Sequence, residues 1–288
     1  MTPLAAALGW LPRSGGLWLG RRLGDLAWVL LGRRRRTALE NVGAAFPELS
    51  LSGRRRLGRR SCQHLGMVFV ELCAVLVRPL EAALGQLRVE GLEHVRGVME
   101  THGRALVLTA HLGNWELLTA AYRFTGYPLT IVVRPLDARW LDTLAERLRR
   151  KVGVELIAKR GAVRPVLEAL RQGRLVAILL DQNAARHEGV FVPFFGRSAS
   201  TSKSLALLAI RTQTPVVPVF IRRETAHQHR VEFHPPLLPP GPKTGERGVV
   251  EMTMRCTATI EAAIRATPEQ WLWLHDRWRT RPAEEPAR

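Results

Sequence analysis

The chain has 288 residues, 46% of them hydrophobic, and carries a formal charge of +18 from 43 Lys+Arg against 25 Asp+Glu. That composition is ordinary for a globular protein with a sizeable core, in one large domain or two small ones; only the basic excess is unusual. Three scattered cysteines, Cys62, Cys73 and Cys256, indicate neither a disulfide framework nor a zinc site, so no metal and no cofactor is expected.

The basic charge is concentrated early. Residues 1–80 hold thirteen arginines and four acidic residues, a surplus of nine and half of the chain's total. A polyanion is the expected partner, either nucleic acid or an anionic membrane surface. Leu, Trp and Val recur here at three- and four-residue spacing, which predicts helices. In LWLGRRLGDLAWVLLG (17–32), Leu17, Trp18, Leu23, Leu26, Ala27 and Leu30 can share one side, with Arg21 and Arg22 on the other. Such a helix suits a membrane interface, or equally the surface of an ordinary domain. Arg21, Arg22 and Asp25 interrupt the run, no stretch of about 18 apolar residues is seen, and no cleavable signal is recognised. Membrane contact is therefore expected to be peripheral.

Beyond Pro79 the texture changes. ALVLTA (105–110), LTIVVR (129–134), RLVAILLDQ (174–182) and PVVPVFIRR (215–223) read as buried strands separated by helical patterns. This predicts an α/β fold with a mostly parallel central sheet flanked by helices. The proline-rich stretch 235–248 reads as a loop, and a last helix is expected at about 249–266. The expected division is a basic amphipathic helical region, 1–80, which associates with membrane; an α/β catalytic domain, 81–280; and a disordered tail, 281–288. FVPFF (191–195) reads as the lining of an apolar channel, a membrane-dipping segment or core, and Trp271, Trp273 and Trp278 as an interfacial belt or packing.

In open α/β sheets ligands bind beyond the carboxyl ends of the strands. Those ends here carry His111, Arg134 and Asp181. His111 opens HLGNWE (111–116), five residues before Glu116. On one continuous helix the two side chains would lie roughly 140° apart, so a contact requires His111 in a turn with the helix starting after it. Gly113 and Asn114 supply that turn and an N-cap, with Glu116 in the first helical turn. Two readings stay open: a hydrogen-bonded pair bracing the turn, or a general base with its orienting carboxylate. The second would suit attack of a hydroxyl on an acyl thioester, whose thiol leaving group (pKa about 8.5) removes the need for an enzyme nucleophile. No G-x-S-x-G elbow is present. A second H-x4-E spacing, His227 with Glu232, lacks the glycine turn and helix start and reads as chance. Asp181 with Gln182 reads as a ligand group or a strand-end brace, and Arg134 as a phosphate ligand or the partner of an acid such as Asp137.

The chain also resembles a known family, the late acyltransferases of lipid A biosynthesis (lauroyl and myristoyl transferases), within the wider H-x4-D/E lysophospholipid-acyltransferase group. ENVGAAFPELS (40–50), HLGNWE, VVRP, LLDQN, GVFVPFFGRSAST, TPVVPVFIRR and PEQWLWLHDRWRTRP follow in the family's order, with Val133 where the pattern expects an aromatic residue. The resemblance implies His111 as general base paired with Glu116. It places Arg134 and Asp181, with Gln182 and Asn114 of the same motifs, at the substrate site. It implies acyl transfer from acyl carrier protein (or acyl coenzyme A) to a hydroxyl of a phosphorylated glycolipid, at the cytoplasmic face of the inner membrane. Rival expectations are another acceptor, such as a phosphatidylinositol mannoside or an ornithine- or glycerol-based lipid, and a non-catalytic membrane scaffold. A nucleic-acid-binding role is disfavoured, because no recognition motif is visible and no aromatics interleave with the basic clusters.

Overall fold

The computed structural model describes residues 3–134 and 139–282. Four helices lead: α1 (Pro3–Trp10), α2 (Arg13–Leu30), α3 (Gly32–Ala45) and α4 (Leu51–Val77). There follow α5 (Leu80–Leu84), β1 (Leu87–Glu90), α6 (Leu92–His102), β2 (Ala105–Thr109), α7 (Trp115–Ala121), β3 (Leu129–Val133) and α8 (Arg139–Val152). Next come β4 (Glu155–Ala158), α9 (Val163–Arg171), β5 (Leu175–Leu179), the hairpin β6 (Gly189–Phe194) and β7 (Arg197–Ser202), and α10 (Ser204–Thr212). The chain ends with β8 (Val216–Arg223), β9 (His229–Phe233) and α11 (Gly245–Ala266). Of the tail expected to be disordered, residues 283–288 lie outside the described residues.

Seven strands form one sheet in the order β1-β9-β8-β2-β5-β3-β4. Every pairing is parallel except β8 with β9. The α/β architecture is thus the expected one, and β2, β3, β5 and β8 are the four strands legible as apolar runs. The short strands β1, β4 and β9 flank them; β1 has no buried position and β4 and β9 mix buried with more open ones, so their sequences lack a continuous apolar run. Period-two alternation splits the core between the two faces: β2 sends Leu106 and Leu108 to one cluster, and Ala105 and Val107 to the other.

FVPFF is core. It falls in β6 and just beyond, where buried Phe194 meets Trp271 and Trp278 at ring separations of 5.7 and 5.6 Å, and Phe195 meets Phe46 at 5.4 Å. Trp271, Trp273 and Trp278 are buried too, so of their two readings the structure gives packing.

The N-terminal helices hold together through glycine. Gly16, Leu17, Gly20 and Gly24 form the buried side of α2, and α4 meets it backbone to backbone. A Cβ on Gly24 would come within 2.3 Å of the Cys62 carbonyl oxygen, and one on Gly66 within 2.1 Å of that of Gly20. Small residues four apart let two helix backbones approach this closely. Half of the apolar side read from the sequence faces outward instead: Trp18 is 63%, Leu26 53% and Leu30 69% exposed, whereas Leu17 is buried. α4 has the length and apolarity of a membrane span, with a mean hydropathy of 1.3 over its best window, but 56% of that window is buried inside the protein. A glycine so tightly enclosed cannot accept a side chain. Gly24→Val is expected to lower the thermal midpoint, at a cost of about 1–3 kcal/mol or more by overpacking, measured by circular dichroism melting.

Candidate active site

β2 and β5 run side by side and in parallel, with Thr109 opposite Leu179. Two residues further along each strand, His111 and Asp181 therefore stand opposite each other beyond the carboxyl ends. His111 Nδ1 lies 2.8 Å from Asp181 Oδ1, and the His111 backbone N–H donates to Oδ2 at 2.9 Å. The Trp271 indole donates to the same Oδ2 at 2.8 Å. Burial alone would raise the Asp181 carboxyl. The charge and hydrogen bond of His111, the indole and the His111 amide outweigh burial and bring it down to about 2. An ionised Asp181 takes the hydrogen of Nδ1, which leaves Nε2 as the ring nitrogen turned to the site. Nε2 lies 3.3 Å from the side-chain nitrogen of Gln182, an exposed residue. The His111 side chain is 19% exposed, against 2% for Asp181.

The expected contact between His111 and Glu116 is not the one the structure makes. Glu116 does occupy the first turn of α7, but its carboxylate receives a bidentate pair of hydrogen bonds from Arg149 of α8, at 3.2 and 2.6 Å. The turn explains this. Gly113 is left-handed at φ 60, and a Cβ there would sit 2.0 Å from the Ile221 carbonyl oxygen. Asn114 caps α7 by accepting from the Leu117 amide at 3.0 Å, as its place in LGN predicts. The turn leaves the imidazole over the sheet edge and brings the first-turn acid to α8.

Asn114 is not placed to touch a substrate. It is buried, its oxygen caps the helix, and its amide donates to Glu71 of α4 at 2.8 Å. Glu71 also takes both nitrogens of Arg223, at 2.7 and 2.6 Å, and contacts Arg13 and His229. Burial works against the charge of Glu71, yet the His229 hydrogen bond and the charge of Arg223 hold it well below the usual carboxylate range. Arg134 is exposed at the end of β3, which neighbours β5, so the three predicted strand ends do meet along one edge of the sheet. Its charge reaches Glu188, which is held down first by the hydrogen bond from Lys159. Asp137, a suggested partner of Arg134, lies outside the described residues.

Sequence reasoning missed the brace behind the turn. The segment 270–273 runs beside it: the Gly113 amide donates to the Gln270 carbonyl at 3.0 Å, and the Leu272 amide to that of His111 at 3.2 Å. Asn41, from the ENVGAAF stretch, donates to the Trp273 and His275 carbonyls at 2.8 and 2.6 Å. Nothing in local spacing links residues 41, 149 or 271 to the histidine.

Two clefts open in part to solvent: one, with about 590 Å³ of empty space that includes open solvent, lies between the N-terminal helices and α7, and another, about 530 Å³ on the same measure and mostly apolar, lies beneath the site between α7 and the sheet. The latter is bounded near its top by Thr109, Leu179 and Trp115, and further down by Leu129, Leu175 and Tyr122. Trp115 packs edge-on against His111 at 5.3 Å. From Leu179 to Leu175 the cavity follows roughly 13 Å of strand. Among the described residues, no cluster of three His, Cys, Asp or Glu side chains suits a metal.

The profile of the bacterial lipid A biosynthesis acyltransferases matches residues 3–280. The chain is 27% identical to the lipid A biosynthesis lauroyltransferase of Escherichia coli K12, over 94% of this chain and 87% of that one. It is 26% identical to the palmitoleoyltransferase (96% and 88%) and 23% identical to the myristoyltransferase (95% and 90%) of the same organism. Among solved structures, the 1-acyl-sn-glycerophosphate acyltransferase of Thermotoga maritima overlaps 87% of this chain and 99% of its own, with a TM-score of 0.40 and 14% identity.

Proposed function

Because the chain belongs to the bacterial lipid A biosynthesis acyltransferase family and is an acyltransferase, we propose that His111 is its general base and that Asp181 orients it. The acyl group comes from a thioester, with acyl carrier protein as donor, and goes to a hydroxyl of a lipid A precursor. The observation that carries this reading is the imidazole itself: Nδ1 is held by a buried carboxylate, and Nε2 is turned to the open side beside Gln182. A hydroxyl on Nε2 gives up its proton as its oxygen attacks the thioester carbon, and Asp181 stabilises the imidazolium formed. The tetrahedral adduct then expels the thiolate, which recovers a proton.

The cavity below supports a place for the acyl chain. It is lined almost wholly by hydrocarbon and reaches the site at Trp115, and the Thr109 hydroxyl in its wall is buried without a hydrogen-bond partner among the described residues. Arg134, at the open edge, is the proposed ligand for a phosphate of the acceptor. Glu116 holds α8 in place through Arg149 rather than acting on the proton.

The outward residues of the N-terminal helices support attachment to an anionic membrane from the cytoplasmic side. Trp10, Trp18, Val29 and Leu30 are exposed alongside Arg21, Arg22 and Arg33. Arginine near such a surface contributes about 1 kcal/mol each.

The function is tested by mass spectrometry of lipids from cells with and without the gene. Lipid A lacking one acyl chain in the deleted strain is expected; unchanged lipid A, with the missing chain on another lipid, would overturn the acceptor assignment.

A further inference from the structure

The cavity of about 590 Å³ lies against the other side of α7. Leu117 forms part of its wall, about 100° around α7 from Leu118 and about 160° from Trp115, both of which face the first cavity. Leu8 and Leu17 of α1 and α2 cover it, and Val70, Val75 and Ala83 of α4 and α5 line the opposite wall. Nothing in the acyl-transfer reading uses this space.

Its polar end carries surplus positive charge. Arg13, Arg78, Glu71 and Gln86 are the polar side chains of the lining. Glu71 is shared between Arg13 and Arg223, while the Arg78 guanidinium donates, among the described residues, to the carbonyls of Gly9 and Leu11, at 3.0 and 2.6 Å. Carbonyl oxygens satisfy hydrogen-bond donors but do not cancel their charge. Arg13 and Arg78, both part-buried, thus stand at the end of the cavity with one carboxylate, Glu71, that is already engaged by Arg223, which leaves the local balance of charge positive. Burial weakens Arg13's hold on its proton; the charge of Glu71 opposes this, and the charges of Arg223 and Arg78 add to it.

We propose that this cavity is a second lipid site, which takes a single fatty chain and holds its anionic head against Arg13 and Arg78. The chain fills the apolar space and the head neutralises the surplus. The ligand is either one anionic-headed chain of the acceptor or a separate anionic single-chain lipid, and the site stands whether or not His111 performs the transfer.

The test is calorimetric titration of the full chain, in a nonionic detergent, with dodecyl phosphate and with dodecyltrimethylammonium. Saturable one-to-one binding of the phosphate and none of the cation is expected. Ala82→Trp, at an exposed position on the cavity's rim, and Arg78→Gln should each weaken binding at least tenfold. Leu118→Trp, which fills the first cavity instead, should leave it unchanged. Melting curves show whether each variant is folded, and the rim position keeps the test independent of the core. Competition between dodecyl phosphate and the acceptor in the transfer assay would identify the occupant as an acceptor chain; inhibition without competition, or none, would identify a separate lipid. The absence of saturable binding, equal binding of the cationic amphiphile, or binding lost in Leu118→Trp but kept in Ala82→Trp and Arg78→Gln would overturn the proposal.

Discussion

His111→Ala is expected to reduce acyl transfer at least about a hundredfold, the usual scale for removing a general base. It should also lower the melting temperature, because the buried Asp181 carboxylate loses its partner at Oδ1, so the rate is compared at a temperature where both proteins are folded. What disappears is the nitrogen that accepts the hydroxyl proton. The assay pairs a purified acyl thioester with a tetra-acylated lipid A precursor and follows kcat and KM separately. A variant that kept more than a tenth of the wild-type rate would remove His111 as the general base and require another group to take the hydroxyl proton.

The second large effect separates the two carboxylates. Asp181→Asn should lower kcat by at least about a hundredfold at nearly constant KM, because an amide can no longer hold Nδ1–H and stabilise the imidazolium. Glu116→Gln should instead lower the melting temperature and raise KM. It breaks the bidentate pair with Arg149 and so loosens α8 at the open side of the site. The opposite pattern, with Asp181→Asn near full kcat and Glu116→Gln stripped of it at normal KM, would return the orienting role to Glu116. The pH dependence adds a sign. The folded carboxyl of Asp181 titrates at about 2, below its ordinary value of about 3.9. Its contribution to stability is therefore complete above about pH 4 and is lost as pH falls through 2. A fall in activity between pH 7 and 5 would thus have to come from another group.

Much of this was readable without coordinates. The apolar runs at 105–110, 129–134, 174–182 and 215–223 do become neighbouring strands, because a segment apolar on both faces is stable only inside a sheet covered on both sides. Gly113 and Asn114 perform the turn and cap assigned to them, since those roles depend on residues within three positions. The N-terminal helices were legible as helices, but not the side they bury. Hydrophobic spacing points to the leucines of α2, whereas its packed side is made of glycines that let α4 approach. A method that weighs side-chain hydrophobicity cannot see a contact made by backbone.

The sequence by itself determined the fold class and which chemical groups stand at the strand ends, because both follow from local periodicity and strand direction. Only the tertiary structure decided which acid meets the imidazole. That depends on β5 lying beside β2, seventy residues away in sequence, in a register that sets Asp181 opposite His111. Glu116, five residues from the histidine along the chain, is carried to α8 by the same turn that the intervening residues encode.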